Sequence, residues 1–274
     1  MIKAIFTNIK DEHRYLEEWF EHHIRMGFNK FIIYEDYGSM SHESIIEKYS
    51  KVTNIDYYDY VLEKDSLEFK DITCMHHIQD NYNDLDWLIK LDPDEYIMMP
   101  EGKTIDDILY NIDDKYDQIV IKWKLYNANG FINQPYSGKY SLVDTYIDYV
   151  DKSNIATYFG NNISENTYDI GKSIIRYKKI CGGRFPISDS FPHLILEGDE
   201  NTVSGEKYWI YINHYITKSF EEFYNRLKSK GEYNKKYYRK LGDFFVLNPD
   251  MISKIPEIES KFNIDIFSFE TKVV

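Results

Sequence analysis

The order of apolar runs in the first third of the chain constrains the fold more than any other feature. Strand-like runs rich in β-branched and aromatic residues occur at 2–9, 30–34, 52–58 and 85–91. Helical patterns separate them, at 11–26, 44–49 and 67–82. Strands that alternate with helices form a parallel sheet with helices on both faces. The sequence therefore predicts a Rossmann-related α/β fold.

Three carboxylates follow the fourth run, in the stretch Leu91-Asp92-Pro93-Asp94-Glu95. Pro93 fixes φ and removes a backbone donor, so regular strand pairing should stop there. The carboxylates would then lie at the carboxyl end of a strand, where ligands bind in open α/β sheets. Such carboxylates repel each other unless a cation joins them, and oxygen ligands suit Mg²⁺ or Mn²⁺. Taken alone, the motif is equally typical of an acidic turn.

Composition disfavours several other classes of protein. The chain has 274 residues, of which 43% are hydrophobic and 17% aromatic, so we expect an ordered protein. A formal net charge of −13 disfavours a nucleic-acid binder, because phosphate binding needs a basic surface. Cys74 and Cys181 lack metal-ligand spacing, so neither a zinc site nor a disulfide scaffold is expected. Without a signal-peptide pattern or about 18 uninterrupted apolar residues, a soluble cytoplasmic enzyme is predicted.

The later part of the chain is less regular. We predict a helix at 104–110, strands at 118–123, 172–177 and 208–212, and a helix after Ser219, which forms a capping-box pattern with Glu222. No repeat or linker is evident, so one domain is predicted. We divide it into a nucleotide-binding half at 1–100, an acceptor-side half at 101–218 and a C-terminal helical extension at 219–274.

Several blocks of residues stand in a fixed order along the chain. They are Lys10-Asp11-Glu12 with Tyr15 to Trp19, Ile33-Tyr34-Glu35-Asp36, Asp92-Pro93-Asp94-Glu95-Tyr96, Trp123 to Gly130, Lys172 to Arg176, and His214-Tyr215 with Lys218-Ser219 and Phe223. Together they resemble glycosyltransferases of the family 2 and family 92 type, which share the GT-A fold. Two pairs depart from that pattern: Glu35-Asp36 replaces a more common Asp-Asn, and Tyr126-Asn127 a more common Phe-Gly.

The resemblance implies a GT-A-like sandwich with a mostly parallel central sheet, helices on both faces and C-terminal helices. It also implies an inverting transfer of a sugar from a nucleotide-sugar donor of the UDP type. The acceptor would be a hydroxyl of a glycan or glycoconjugate. Two other functions stay open at this stage, an aspartate-dependent phosphohydrolase and a catalytically silent glycan-binding module.

The predicted metal site consists of Asp92, Asp94 and His214, which would hold Mn²⁺ or Mg²⁺ against the diphosphate. Asp92 would also face the donor. Lys218, one helical turn after His214, is predicted to pair with phosphate. For His214 taken alone, a buried structural histidine is the alternative interpretation. The adjacent pair His22-His23 is interpreted as packing or surface residues, since neighbours on a helix diverge by about 100°.

Nucleotide binding is predicted at the ends of the first two strands. Thr7 and Asn8 would lie beside the base, and Glu35 or Asp36 would accept hydrogen bonds from base or ribose. Asp36 is equally suited to capping its own loop.

Inverting transfer also needs a base that deprotonates the acceptor hydroxyl. The candidates are Asp189 and Glu197, for which an exposed acidic turn is the alternative. The basic stretch 218–240 has two interpretations, a solvated helix face or a peripheral contact with the anionic inner face of a membrane.

Overall fold

A computed structural model describes residues 1–36, 39–60, 70–135, 141–151, 153–155, 171–178, 201–230 and 241–266. The strands within these ranges are β1 (Lys3–Ile9), β2 (Lys30–Asp36), β3 (Asn54–Tyr60), β4 (Trp87–Lys90), β5 (Glu95–Met98), β6 (Gln118–Leu125), β7 (Gly171–Arg176), β8 (Thr202–Ser204) and β9 (Tyr211–His214). The α-helices are α1 (Leu16–Arg25), α2 (Glu43–Tyr49), α3 (Lys70–Asn81), α4 (Ile105–Leu109), α5 (Leu142–Thr145), α6 (Phe220–Lys230), α7 (Leu241–Leu247) and α8 (Ile255–Phe262). Two 3-10 helices span Gly205–Tyr208 and Pro249–Lys254.

The chain divides into two compact units. The first comprises Met1–Trp123 and Asp169–Asn213, and the second comprises Lys124–Tyr168 and His214–Val274. The three-part division of a single domain that the sequence indicates remains a prediction.

The strands form one sheet in the order β3-β2-β1-β4-β7-β6-β9-β5, with β8 paired to β6. The block from β3 to β4 is parallel, as the alternation of strands and helices predicts. In contrast, β7 runs antiparallel to both β4 and β6. The α/β fold with a largely parallel sheet is therefore confirmed, and β7 is antiparallel to its two neighbours.

Helices cover the parallel block on both faces, as predicted. One face packs on α3, in a cluster that includes Ala4, Phe6, Ile32, Cys74 and Ile78. The opposite face packs on α1, whose Trp19 ring lies 5.8 Å from the ring of Phe31 in β2. The two clusters use alternate residues of β2, because successive side chains of a strand point to opposite faces. Burial on both faces explains why these strands are apolar runs rather than alternating patterns.

The strand predicted at 208–212 starts three residues before the observed strand, β9. The segment Gly205–Tyr208 is a 3-10 helix, Trp209 is left-handed with φ 58° and ψ 32°, and β9 starts only at Tyr211. The physical reason is a close approach at Gly205, where an added Cβ would lie 2.7 Å from Ile210 Cγ2 and 3.0 Å from the Val120 carbonyl oxygen. Only glycine fits there, and the chain turns before it enters the sheet.

The second unit has a helical core of its own. The predicted capping box is confirmed: Glu222 N–H donates to Ser219 Oγ at 3.3 Å, and Ser219 N–H donates to the Glu222 carboxylate at 3.2 Å. The predicted C-terminal helices are present as α6 to α8. Their shared core includes Phe220, Phe223, Phe244, Phe245, Met251 and Ile258.

The pair His22-His23 is buried in α1, so the packing interpretation is confirmed. His23 Nδ1–H donates to the Trp19 carbonyl oxygen at 2.9 Å, and its Nε2 accepts the Ile97 N–H at 3.3 Å. Both ring nitrogens are therefore used by the neutral imidazole. Burial lowers the pKa of His23 well below 6.5, and the neighbouring His22 adds to this effect.

The lowered pKa of the buried His23 should make the stability of the fold depend on pH. The folded chain keeps His23 neutral while the unfolded chain takes up a proton below about pH 6.5, so the free energy of unfolding should fall as the pH falls from 7.5 to 5.5. The limiting contribution is about 1.4 kcal/mol per pH unit for one histidine. Urea denaturation across this range should show a shallower slope for His23→Gln than for the wild type.

The matched control for this prediction is His76→Gln, at an exposed position on α3. This variant should keep the wild-type slope. Identical pH slopes for the wild type and His23→Gln would contradict the prediction.

Candidate active site

The acidic stretch forms a tight turn between β4 and β5. Leu91 N–H donates to the Phe6 carbonyl oxygen of β1 at 3.1 Å, and regular pairing of β4 stops there, as Pro93 predicts. Asp92 and Glu95 then bond each other twice. Glu95 N–H donates to the Asp92 carbonyl oxygen at 3.0 Å, and Asp92 N–H donates to the Glu95 carboxylate at 2.9 Å. Because β1, β2 and β4 are parallel, this turn lies at the edge where all three strands end.

Two lysines hold the turn. Lys172 of β7 places its Nζ 3.0 Å from Asp92 Oδ2 and 3.6 Å from Glu95 Oε2, and Lys90 Nζ lies 3.1 Å from Asp92 Oδ1. The Lys172 side chain is fully buried, and its ammonium lies 5.6 Å from the centre of the Trp123 ring. Sequence reasoning assigned neither lysine to the site. The available signal was a lysine beside the apolar residues of each strand, at the end of β4 and near the start of β7.

The electrostatics of the turn are dominated by burial. Glu95 is fully buried, and burial raises the pKa of its carboxyl to about 8. The Lys172 ammonium opposes this rise in pKa, whereas the negative charges of Asp92 and Asp94 add to it. The carboxylates therefore crowd one another, an arrangement in which a further cation is favoured.

The residues present fit a divalent cation in part. Among the described residues, no group of three or more His, Cys, Asp or Glu side chains is placed to hold a metal ion. Asp94 is buried beside Glu95 in the first unit, and His214 ends β9 in the second unit. One or two carboxylates suffice for Mg²⁺ when phosphates complete its coordination. The ligand set of Asp92, Asp94 and His214 stays a prediction.

The predicted base-binding residues end β1, beside the acidic turn. Thr7 is buried, and its Oγ1 has no hydrogen-bond partner within the described part of the chain. Asn8 Oδ1 accepts a hydrogen bond from the Cys74 thiol of α3 at 3.3 Å. They lie at the carboxyl end of the sheet, and their contact with the base stays a prediction.

Glu35 and Asp36 end β2 in different surroundings. Glu35 is buried, and His42 Nδ1–H donates to its Oε1 at 3.2 Å, while the Tyr57 hydroxyl donates to Oε2. Asp36 is half-buried, and its carbonyl oxygen accepts Ser39 N–H at 3.1 Å. Glu35 therefore organises the loop, which leaves Asp36 as the better placed of the two predicted nucleotide contacts.

The loops after β1 and β2 are bonded to each other. His42 Nε2 accepts the Glu12 N–H at 3.0 Å, and Asp11 Oδ1 accepts the Met40 N–H at 3.0 Å. The His13 and His42 rings stack at 3.8 Å. The predicted nucleotide edge is thus a connected polar surface rather than two independent loops.

Other predicted residues are placed in the second unit. Lys218 is buried and left-handed with φ 55°, immediately before the capping residue of α6. The His214 carbonyl oxygen accepts the Tyr126 N–H at 3.0 Å. Asp189 and Glu197 lie outside the described residues, as does the second half of the stretch 218–240. No helix in the described ranges is long and apolar enough to cross a membrane.

The family follows from comparison with known proteins. The profile of glycosyltransferase family 92 matches residues 8–244. The chain therefore belongs to glycosyltransferase family 92 and is a glycosyltransferase, which confirms the coarse prediction from sequence. A comparison with curated protein sequences found no match.

Three solved structures illustrate how far the similarity extends. S. aureus TarS, residues 1–349, is 13% identical, with 92% of this chain and 72% of that chain covered and a TM-score of 0.44. HddC from Yersinia pseudotuberculosis is 12% identical over 84% of this chain and 99% of that chain, with a TM-score of 0.39. A glycosyltransferase involved in glycosylation of the major capsid of PBCV-1 is 10% identical over 84% and 100%, with a TM-score of 0.35.

Lys172 should be a strong determinant of stability. At pH 9, above the Glu95 pKa of about 8, Lys172→Met removes one of the two ammonium partners of Asp92 and the buried counter-charge of Glu95. Removing one partner of a buried ion pair is strongly destabilising, and we expect a loss of about 3 kcal/mol in chemical denaturation.

The matched control for this prediction is Lys178→Met, which removes an exposed ion pair with Asp86. Its loss should be below about 1 kcal/mol. Equal losses in the two variants would show that Lys172 does not hold the acidic turn.

Proposed function

We propose that this glycosyltransferase is metal-dependent and inverting, and that it transfers a sugar from a UDP-sugar to a hydroxyl of a glycan or glycoconjugate. The observation that carries the proposal is the turn from Asp92 to Glu95, an acidic cluster at the carboxyl edge of the sheet. Carboxylates that neighbouring lysines hold in fixed positions are pre-organised for a cation and a diphosphate. Family membership favours this function over the phosphohydrolase.

The chemistry requires stabilisation of the leaving diphosphate, whose negative charge grows as the glycosidic bond breaks. A divalent cation supplies Lewis-acid stabilisation when bound, and Asp94 is its proposed carboxylate ligand, with His214 the proposed further ligand. Asp92 is held by two ammonium groups, which fix its carboxylate, and we propose that it faces the donor. We also propose Lys218 as a phosphate contact.

The nucleotide is proposed to bind across the ends of β1 and β2. Thr7, Asn8 and Asp36 lie there, and the hydrogen bonds between the two loops fix their spacing. A rigid polar edge suits a base and ribose, because a pre-ordered site loses less entropy on binding. Asp189 and Glu197 remain the proposed candidates for the base that deprotonates the acceptor.

The acceptor is proposed to stack on an aromatic surface of the second unit. Tyr149 is 58% exposed, its ring lies 4.7 Å from that of Tyr126, and Tyr126 lies 4.8 Å from Tyr215. The segment is fixed by Val150 N–H, which donates to the Leu125 carbonyl oxygen at 2.9 Å. Tyr215 follows His214 in sequence and Tyr126 N–H donates to the His214 carbonyl oxygen, so an acceptor held on Tyr149 would be close to the end of β9.

The proposed metal dependence can be tested at Asp94, the proposed carboxylate ligand of the cation. Asp94→Asn keeps the size of the side chain and removes its charge, so UDP release from the productive UDP-sugar, with Mn²⁺ present, should fall at least about 100-fold. EDTA should abolish the wild-type activity. The measurement is UDP release across a panel of UDP-sugars.

Asp84→Asn is the matched control, an exposed acidic residue three residues before β4, and it should retain the wild-type rate. Full turnover by Asp94→Asn, or a wild-type rate that EDTA leaves unchanged, would reject the metal-dependent mechanism.

Tyr149 tests the acceptor surface separately. Tyr149→Ala removes a stacking ring, so kcat/KM for the acceptor should fall about tenfold. Hydrolysis of the donor without acceptor should not change, because Tyr149 does not contact the leaving group in this proposal. Tyr149→Phe should retain transfer. An equal loss of transfer and donor hydrolysis would contradict an acceptor role.

A further inference from the structure

Trp209 is held in a conformation that is unfavourable on two counts. Trp209 is 77% exposed, although an indole gains free energy from burial. Its backbone is left-handed, with φ 58° and ψ 32°, a region that bulky residues rarely adopt. Residues kept under backbone strain are found preferentially at functional sites. The fold alone gives no reason for tryptophan at this position.

The turn that carries Trp209 is firmly anchored. Gly205 is buried against the backbone of β6, where a side chain would not fit. Ser204 Oγ accepts the Glu206 N–H at 3.3 Å, and Trp209 N–H donates to the Glu206 carbonyl oxygen at 3.1 Å. The preceding strand β8 pairs with β6. The indole is therefore presented on a rigid support, which lowers the entropy lost when a ligand binds.

Charged and aromatic residues precede Trp209 in the same turn, namely Glu206, Lys207 and Tyr208. The Lys207 ammonium lies 5.6 Å from the centre of the Tyr208 ring and 5.8 Å from that of Tyr116. Glu206 is 64% exposed and pairs with Lys122 at 3.0 Å. The turn thus combines an open aromatic face with hydrogen-bonding groups of both charges.

The apolar area of the Trp209 indole suits a small ligand. One indole offers about 200 Å² of apolar area. A stable protein interface needs about 800 Å² per partner, which is more than one indole supplies by itself. A pyranose ring matches, because a gluco-configured sugar has C–H groups on its faces and hydroxyls around its edge. The C–H face would stack on the indole while Glu206 and Lys207 bond hydroxyls.

This position is separate from the acidic turn within the first unit. Lys207 reaches Tyr116, which precedes β6 at the amino ends of the parallel strands. Glu206 of the turn also reaches Lys122, which is next to Trp123 in β6, but successive side chains of a strand point to opposite faces of the sheet. A ligand held on the Lys122 face would therefore lie on the other face of the sheet from Trp123 and its neighbour Lys172.

We propose that Trp209 is the stacking platform of a second carbohydrate site, which binds a gluco-configured oligosaccharide away from the reaction centre. The choice of a glycan as ligand rests on the proposed function. Such a site would hold a long acceptor, or the growing product, near the enzyme between transfers. It raises the local concentration of acceptor ends without taking part in the chemistry.

The experiment is calorimetric titration of the full chain with cellohexaose, chitohexaose and maltohexaose at millimolar concentrations. The wild type should bind at least one of them. Trp209→Asn should weaken that binding at least about tenfold, because the ring is lost. Trp209→Phe keeps an aromatic face and should stay within about threefold. Tyr110→Ala removes another exposed aromatic ring, on α4's C-terminal side, and should bind as the wild type does.

Stability separates a binding role from a structural one. Asparagine tolerates the left-handed region, so Trp209→Asn should unfold at or above the wild-type temperature while it loses binding. UDP release without acceptor should stay unchanged, which distinguishes this site from the proposed transfer activity. The proposal is overturned if the wild type binds none of the three oligosaccharides, if Trp209→Asn binds them as tightly, or if Trp209→Asn unfolds well below the wild type.

Discussion

The buried ammonium of Lys172 is the interaction on which the arrangement of the acidic turn depends. Burying a carboxylate is costly unless a counter-charge accompanies it. Lys172 supplies that charge to Asp92 and Glu95, and it can do so because β7 runs antiparallel beside β4. A strand that is antiparallel to β4 and β6 thus brings a cation to the carboxyl edge. The position of β7 in the sheet therefore determines which cation neutralises the acidic turn.

The proposed activity follows from where this turn lies. β1, β2 and β4 end at one edge, so the turn lies at the same edge as the polar residues that follow the first two strands. Hydrogen bonds through His42 and Asp11 connect the two loops there. A charged diphosphate needs fixed partners of opposite sign, and a base needs a shaped polar surface. In the proposed function, a cation held by the carboxylates of the turn would supply the charge that the diphosphate needs, and the loops after β1 and β2 would supply the surface for the base. The family 92 match shows glycosyl transfer itself.

Local patterns allowed much of this to be predicted, and long-range contacts account for what was missed. Three predictions depend on short stretches of sequence, and each is confirmed. They are the alternation of apolar runs, the end of strand pairing before Pro93, and the capping box of Ser219 and Glu222. Lys172 lies 80 residues from Asp92, so its role depends on strand register that no local pattern encodes. The inward orientation of Glu35 likewise depends on His42 and Tyr57. At Trp209 the aromatic pattern indicated a strand, but the close packing of Gly205 against β6 determined a turn.

The coupling between Lys172 and Glu95 tests the central claim most directly. A double-mutant cycle with Lys172→Met, Glu95→Gln and the double variant can be measured by urea denaturation at pH 9, above the Glu95 pKa of about 8. If the ammonium holds the turn, the double variant should lose less stability than the sum of the single variants, by at least about 1 kcal/mol. Additive losses would mean that the two charges do not support each other, and the account of the acidic turn would be wrong.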